Sequence, residues 1–295
     1  MALSLGNGAA RILIRPDLGA GLAAFDIRRG DDWLPFFRRV DEATTHPFAL
    51  SNILLLPFSG RVSGGGFRFG GRFHPIEPNM PGEKYPLHGS AFSAVWTIVE
   101  MTGESVTLAV SAAGPGSFLY DATMTYRLDG TTLTMTLGAT NRAALPLPYG
   151  GGFHPWFVRD GNTLLTAPAE KVWFERDDHL PDGLGNVKMH PEMDFSQPRK
   201  LPEGWINNWF SGWPGKARLD WPDRGLAADI IGGSGLDQYV LFSPSGDADY
   251  LCFEPVSHPV DAFNLPEGPV AHDMVVLPPG ATLSLTASVR GILAA

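Results

Sequence analysis

The sequence predicts an all-β protein, and three features of its 295 residues carry that expectation. Apolar and polar residues alternate at a period of two, the short runs so formed are divided by Gly, Pro, Asn and Asp from end to end, and no long segment holds apolar residues at helical spacing. Glycine (35) and proline (26) make up about a fifth of the chain, below the level of low-complexity sequence but enough to turn many short strands. Prolines at 181, 191, 198, 202, 214 and 222 interrupt the one long region without strand pattern, which excludes a long helix there.

The expected strands in chain order are Ala10–Ile14, Leu22–Ile27, Asn52–Leu56, Ala94–Met101, Ser105–Ala109, Asn162–Thr166, Val172–Glu175, Ala217–Trp221, Tyr239–Phe242, Tyr250–Glu254 and Leu283–Arg290. Two hairpins stand out. Phe67–Phe69 and Arg72–His74 flank Gly70-Gly71, and the Thr-rich runs Asp121–Leu128 and Thr131–Leu137 flank Asp129-Gly130, a dipeptide suited to a type I′ turn. Residues 176–212 read as a long excursion, and excursions of that length in compact domains are often functional. No compositional break or fixed-period repeat divides the chain, so a single unit spanning residues 1–295 is expected.

Composition bounds the function. Charged residues are 18% and the net charge is −9, which repels polyanions and argues against nucleic-acid partners and anionic membrane surfaces. No run approaches the roughly 20 apolar residues that a membrane-spanning helix needs, and the amino terminus shows no export signal. The single cysteine, Cys252, excludes an internal disulfide framework and a Cys-rich zinc site. These features lead us to expect a soluble, cytoplasmic protein.

Among eight histidines, context separates His154 and His88. His154 lies in Tyr149-Gly150-Gly151-Gly152-Phe153-His154-Pro155-Trp156-Phe157, where glycines permit close approach and aromatic faces sit beside a titratable ring. That composition suits a sugar pocket, and equally a bulged turn over a core aromatic pair. His88, in Pro86-Leu87-His88-Gly89-Ser90, is a loop histidine open to a ligand or to solvent. Arg61, in Phe58-Ser59-Gly60-Arg61-Val62, could hold hydroxyls or form a surface ion pair. Glu254 closes an apolar strand candidate, where partial desolvation would raise its pKa toward that of a useful base; the alternative is a solvated strand end. Glu254 and His258 have the i, i+4 spacing of helical metal ligands, but Pro255 and Pro259 oppose a helix, so no metal is expected. Asp220, Asp223, Asp247 and Asp249 are available as second carboxylates, in turn-like contexts that favour solvation. No nucleophile elbow, Walker loop or dinucleotide fingerprint is present.

Five segments taken together, Pro57–Val62, Gly66–Gly71, Leu87-His88-Gly89, Gly152–Phe157 and Phe253–His258, strongly resemble the aldose 1-epimerase (mutarotase) family, in the right order and across nearly the whole chain. The resemblance implies a galactose-mutarotase-like β-supersandwich with few short helices. It also implies a sugar site on the concave face, an isomerase that interconverts the α and β anomers of an aldohexose, and no cofactor. Position by position it assigns Glu254 as general base, His154 as general acid, and His88 and Arg61 as sugar ligands. Asn207, in Trp205-Ile206-Asn207-Asn208-Trp209-Phe210, stands where the family usually has an aspartate that binds sugar hydroxyls. Trp156 or Phe67 would offer a platform for an apolar sugar face. The expected partner is a small sugar, with homodimerisation left open. Two alternatives stay open as well: a non-catalytic sugar-binding or regulatory protein, and a hexose-6-phosphate 1-epimerase using a cluster such as Arg68 with Arg72.

Overall fold

A strand whose alternate side chains are apolar must bury that face, and here two large antiparallel sheets bury theirs against each other. The computed structural model describes residues 2–41 and 43–293. The first sheet has 11 strands and runs, in spatial order, Leu3–Gly6, Ala10–Arg15, Gly21–Arg29, Asn52–Leu55, Gly152–Val158, Tyr250–Val256, Gln238–Ser243, Ile206–Ser211, Lys171–Glu175 and Pro181–Asn186, with Asp32–Pro35 beside Gly21–Arg29. The second, of nine strands, is centred on Thr282–Leu293, Thr132–Asn141 and Leu119–Asp129. Helical structure among the described residues is confined to 3-10 turns of three or four residues. The architecture is the all-β sandwich that the alternation predicts.

Period-two alternation decides which side chains meet in the core. Along Tyr250–Val256, Leu251 and Phe253 enter the large cluster between the sheets, whereas Cys252 and Val256 join a smaller cluster on the opposite, concave face. The neighbouring strands obey the same rule. Phe153 and Phe157, Tyr239 and Leu241, and Ile206 and Phe210 point between the sheets, while Trp156, Val240 and Trp209 point the other way. The outer face of the second sheet carries cross-strand threonine pairs, Thr107 with Thr125 and Thr136 with Thr286, whose hydroxyls bond at 2.9 and 3.1 Å.

Several boundaries differ from those expected. Tyr250–Val256 runs through Pro255 instead of ending at Glu254, so that residue lies within a strand and is not a solvated strand end. Gly152–Val158, written in the sequence as glycine and aromatic residues without clear alternation, is a central strand. The excursion at 176–212 holds the edge strand Pro181–Asn186 and the interior strand Ile206–Ser211. Within the excursion the last proline is at 202, so every backbone N–H of Ile206–Ser211 can join the ladder. The Asp129 hairpin closes with Asp129 opposite Thr132, and of the two turn residues only Gly130 takes a positive φ, so the type I′ turn, which needs two, does not form. The Gly70-Gly71 turn does have both angles positive.

Phe67 is a correction. Its ring stacks on Phe263 (4.2 Å between centroids) and on His74 (4.9 Å), buried between the layers, because hairpin Gly66–Pro75 folds its inner face onto the core. It is a core residue and offers no platform to a ligand. Phe67→Ala should therefore lower stability by about 3–5 kcal/mol in denaturant titration while leaving ligand affinity of the folded protein unchanged.

Candidate active site

The concave face of the first sheet holds a pocket of about 270 Å³ lined by Glu254, His154, His88, Arg61, Asn207 and Trp156, with Arg38, Phe48, Trp205, Trp209 and Tyr250 among its other walls. Six of the seven expected site residues thus come together, from positions as far apart as 61 and 254. Register is what joins the central two. Trp156 lies opposite Cys252 and Gly152 opposite Val256, so the intervening His154 faces Glu254 across the strand pair. His154 Nε2 is 3.2 Å from Glu254 Oε1. Gly151 and Gly152 make this approach possible: a Cβ on Gly151 would lie 2.1 Å from the Leu55 carbonyl oxygen, and one on Gly152 would lie 2.2 Å from that of Pro255.

Both groups are buried, and burial acts on them in opposite directions. It pushes the Glu254 carboxyl well above its ordinary range, and it pushes the His154 imidazole well below its own, with the His88 ring and the Arg38 guanidinium adding to the latter. A dry pocket disfavours each charged form, and one proton shared by the pair leaves a donor and an acceptor side by side. The His154 ring stacks on Trp156 at 3.8 Å between centroids, and its buried Nδ1 has no hydrogen-bond partner.

His88 is held from both sides by one residue. Its backbone N–H donates to the Gly60 carbonyl at 2.9 Å, and the Gly60 N–H donates to His88 Nδ1 at 3.0 Å. Accepting at Nδ1 fixes the proton on Nε2, so the ring presents a donor to the remaining space. Its backbone sits at φ +57°, a conformation costly for a non-glycine residue. Asn79 braces it there, accepting from the Leu87 N–H and donating to the Leu87 and Gly89 carbonyls at 2.7–2.8 Å. Burial lowers the His88 pKa to about 3 and that of His258 to about 4, both neutral at ordinary pH. His258 is structural: its Nε2 accepts from the Ser59 N–H, and its Nδ1 contacts the Pro259 carbonyl.

Arg61 does find an acidic partner, Glu83, through Nε (3.1 Å) and Nη2 (3.3 Å), at the mouth of the pocket. Arg68 and Arg72 lie on the Gly66–Pro75 hairpin and are not among the pocket-lining residues, so they supply no phosphate clamp there. Sequence reasoning missed Arg38, which donates to the Leu50 carbonyl through Nε (3.0 Å) and Nη2 (2.6 Å) and lies 4.2 Å over the Trp156 ring. It sits in a connection with no periodic signal. Trp209, Val240 and Phe242 were findable: once Glu254 fixes the concave face, alternation and register assign them to it. As possible metal donors, the structure groups His154, Glu254 and Cys252, with ligand atoms within 4.8 Å of one another, in place of the Glu254–His258 pair. The Cys252 thiol is fully buried and pushed well above its usual value, which opposes the thiolate a metal would need.

The neutral rings carry a pH signature. Each has a folded pKa below the unfolded value of about 6.5, so its contribution to stability is intact above pH 6.5 and is lost as pH falls toward about 4 (His258) and about 3 (His88), at up to ~1.4 kcal/mol per pH unit for each ring. In an NMR titration, the Cε1–H resonances of His88 and His258 should hold their neutral positions from pH 8 to pH 5. A midpoint near 6.5 for either ring would contradict the burial argument.

Comparison with known proteins gives one consistent answer. The aldose 1-epimerase family profile matches residues 1–290. An uncharacterised Escherichia coli K12 protein, YphB, is 35% identical over 242 residues, covering 80% of this chain and 82% of its own. An E. coli K12 crystal structure provisionally named an aldose 1-epimerase superposes with a TM-score of 0.91 at 30% identity, over 99% of both chains. The Lactobacillus acidophilus galactose 1-epimerase shares the fold alone, with a TM-score of 0.76 at 16% identity over 100% of this chain and 95% of that one.

Proposed function

Since the chain belongs to the aldose 1-epimerase family, we propose that it interconverts the α and β anomers of a free aldohexose or a closely related sugar by opening and reclosing the pyranose ring. The observation that carries this reading is the Glu254–His154 contact at 3.2 Å on the floor of a pocket sized for one sugar ring. Ring opening removes a proton from the C1 hydroxyl and delivers one to the ring oxygen. Transfer of the shared proton from the Glu254 carboxyl to His154 Nε2 across their contact gives the carboxylate and the imidazolium, and from that form Glu254 takes the first and His154 gives the second. The aldehyde then turns about the C1–C2 bond, and reclosure on the other face returns both protons by the same route in reverse.

This pair needs no outside proton, because what Glu254 gains His154 loses within one contact. Dryness supports the exchange, since a separated ion pair is not trapped by solvent. His88, through Nε2–H, and Arg61 donate to hydroxyls, Asn207 adds a polar contact from strand Ile206–Ser211, and Trp156 supplies a flat apolar face. A non-catalytic sugar-binding role is less economical, because hydroxyl recognition alone gives no reason to bury a carboxyl against an imidazole.

Anomer exchange measured by NMR saturation transfer on pure aldoses should show a rate above the spontaneous one for at least one neutral hexose. Glu254→Gln and His154→Ala should each lower it on the order of 10²–10⁴-fold with the fold intact by circular dichroism. No acceleration for any aldose by the folded protein would refute the proposal. The pH profile supplies a second check. Because burial raises Glu254 and lowers His154, the one-proton state spans neutrality, and activity should be flat there without a limb near pH 6.5.

A further inference from the structure

Behind the pocket wall formed by Asn207, His179 and Trp205 lies Glu175, at the end of strand Lys171–Glu175. Its carboxylate, 14% exposed, takes three donors at once. Asn207 Nδ2 and His179 Nδ1 both meet Oε1, the latter at 2.6 Å, and Trp205 Nε1 donates to Oε2 at 2.9 Å. The first of these contacts follows from register, which places Trp173 opposite Trp209 and hence Glu175 opposite Asn207. All three donors line the pocket. A carboxylate can only accept, so each partner must turn a hydrogen toward it. Asn207 then commits its amide nitrogen to Glu175 and turns its carbonyl oxygen away, and His179 carries its proton on Nδ1, leaving Nε2 as an acceptor. The Trp205 N–H is consumed, which leaves its ring, half-exposed and stacked on His179 at 5.7 Å, as an apolar surface.

We propose that Glu175 is a positioning residue that makes this wall of the pocket a hydrogen-bond-accepting surface, selecting a neutral sugar hydroxyl at Asn207 and His179. The wall that holds His88 presents a donor, Nε2–H, while the Arg38 and Arg61 forks are engaged by the Leu50 carbonyl and by Glu83. A sugar hydroxyl is both donor and acceptor and can satisfy either wall; a phosphate or carboxylate substituent, which only accepts, is rejected on the Glu175 side. The negative charge stays one strand behind the contact surface, where it orients Asn207 without itself occupying sugar space.

The inference rests on sugar being the ligand of this pocket, and the experiment separates its failure from failure of the epimerase reading. Long-range ¹H–¹⁵N NMR of the wild-type protein at pH 8 should show the His179 ring as the Nδ1–H tautomer, and Glu175→Gln, with unchanged circular dichroism, should redistribute it toward Nε2–H. In anomer-exchange kinetics Glu175→Gln should raise KM about tenfold, the worth of one hydrogen bond, with kcat kept within about twofold. Within a set of monodeoxy hexoses, one analogue should bind the wild type as weakly as the parent sugar binds the variant. An Nε2–H tautomer in the wild type, or unchanged KM in the variant, overturns the proposal. If the wild type binds sugar without exchanging anomers, NMR-monitored dissociation constants replace KM: a weaker constant for the variant sustains the role of Glu175 while the epimerase reading falls, and an equal one overturns both.

Discussion

The pairing of strand Gly152–Val158 with strand Tyr250–Val256 is the constraint from which the candidate site follows. Side chains on a strand change face at every residue, so a slip of one position would send His154 or Glu254 into the core between the sheets and bring Phe153 or Phe253 onto the concave face. The register is therefore enforced by the large aromatic residues as much as by the ladder bonds. Phe153, Phe157, Leu251 and Phe253 have one hydrophobic destination, and occupying it leaves His154 and Glu254 facing each other on the other side. The reactive contact is a by-product of packing that would be needed in any case. The apolar residues beside it, Ile53, Leu55, Val240 and Trp209, also keep the pair dry.

Burying two titratable groups is costly unless they satisfy each other, and a single partner shared at 3.2 Å does this incompletely. His154 Nδ1 is left with no bond. Several surrounding groups are by contrast held in place: His88 is clamped by Gly60, the loop around it is braced by Asn79, and Glu175 takes three donors. Polar order is concentrated around the rim, while the floor keeps its unsatisfied capacity for a ligand. That division is expected where rigid supports hold a reactive centre in place.

Much of this was legible in the amino-acid sequence, and the limits of legibility have physical reasons. Strand content is written in local alternation, and the central site residues are written in ordered motifs, so His154, Glu254, His88 and Arg61 could be named before any coordinates. Phe67 could not be placed correctly, because an aromatic residue in a motif gives no sign of which face of its hairpin meets the core. Arg38 and Glu175 carry no local pattern, and their importance arises only from what long-range pairing brings beside them. The same holds for the direction of the pKa shifts: identity sets the ordinary values for Glu254 and His154, and only burial reveals that both move toward neutral forms. Asn207 reads in sequence as a lost charge. In the fold, the charge is restored next door by Glu175.

The middle of the first sheet joins Asn52–Leu55, Gly152–Val158 and Tyr250–Val256, three strands separated in the chain by about a hundred residues each. During synthesis at ~5–20 residues per second, the first of these waits roughly 5–20 s for the second, and the second as long again for the third. Throughout that interval an apolar sheet edge has no neighbour, which makes the emerging polypeptide a natural client for chaperones. The concave cleft is consequently among the last features to mature on the ribosome, and a chain interrupted before residue 250 contains no partially competent version of it.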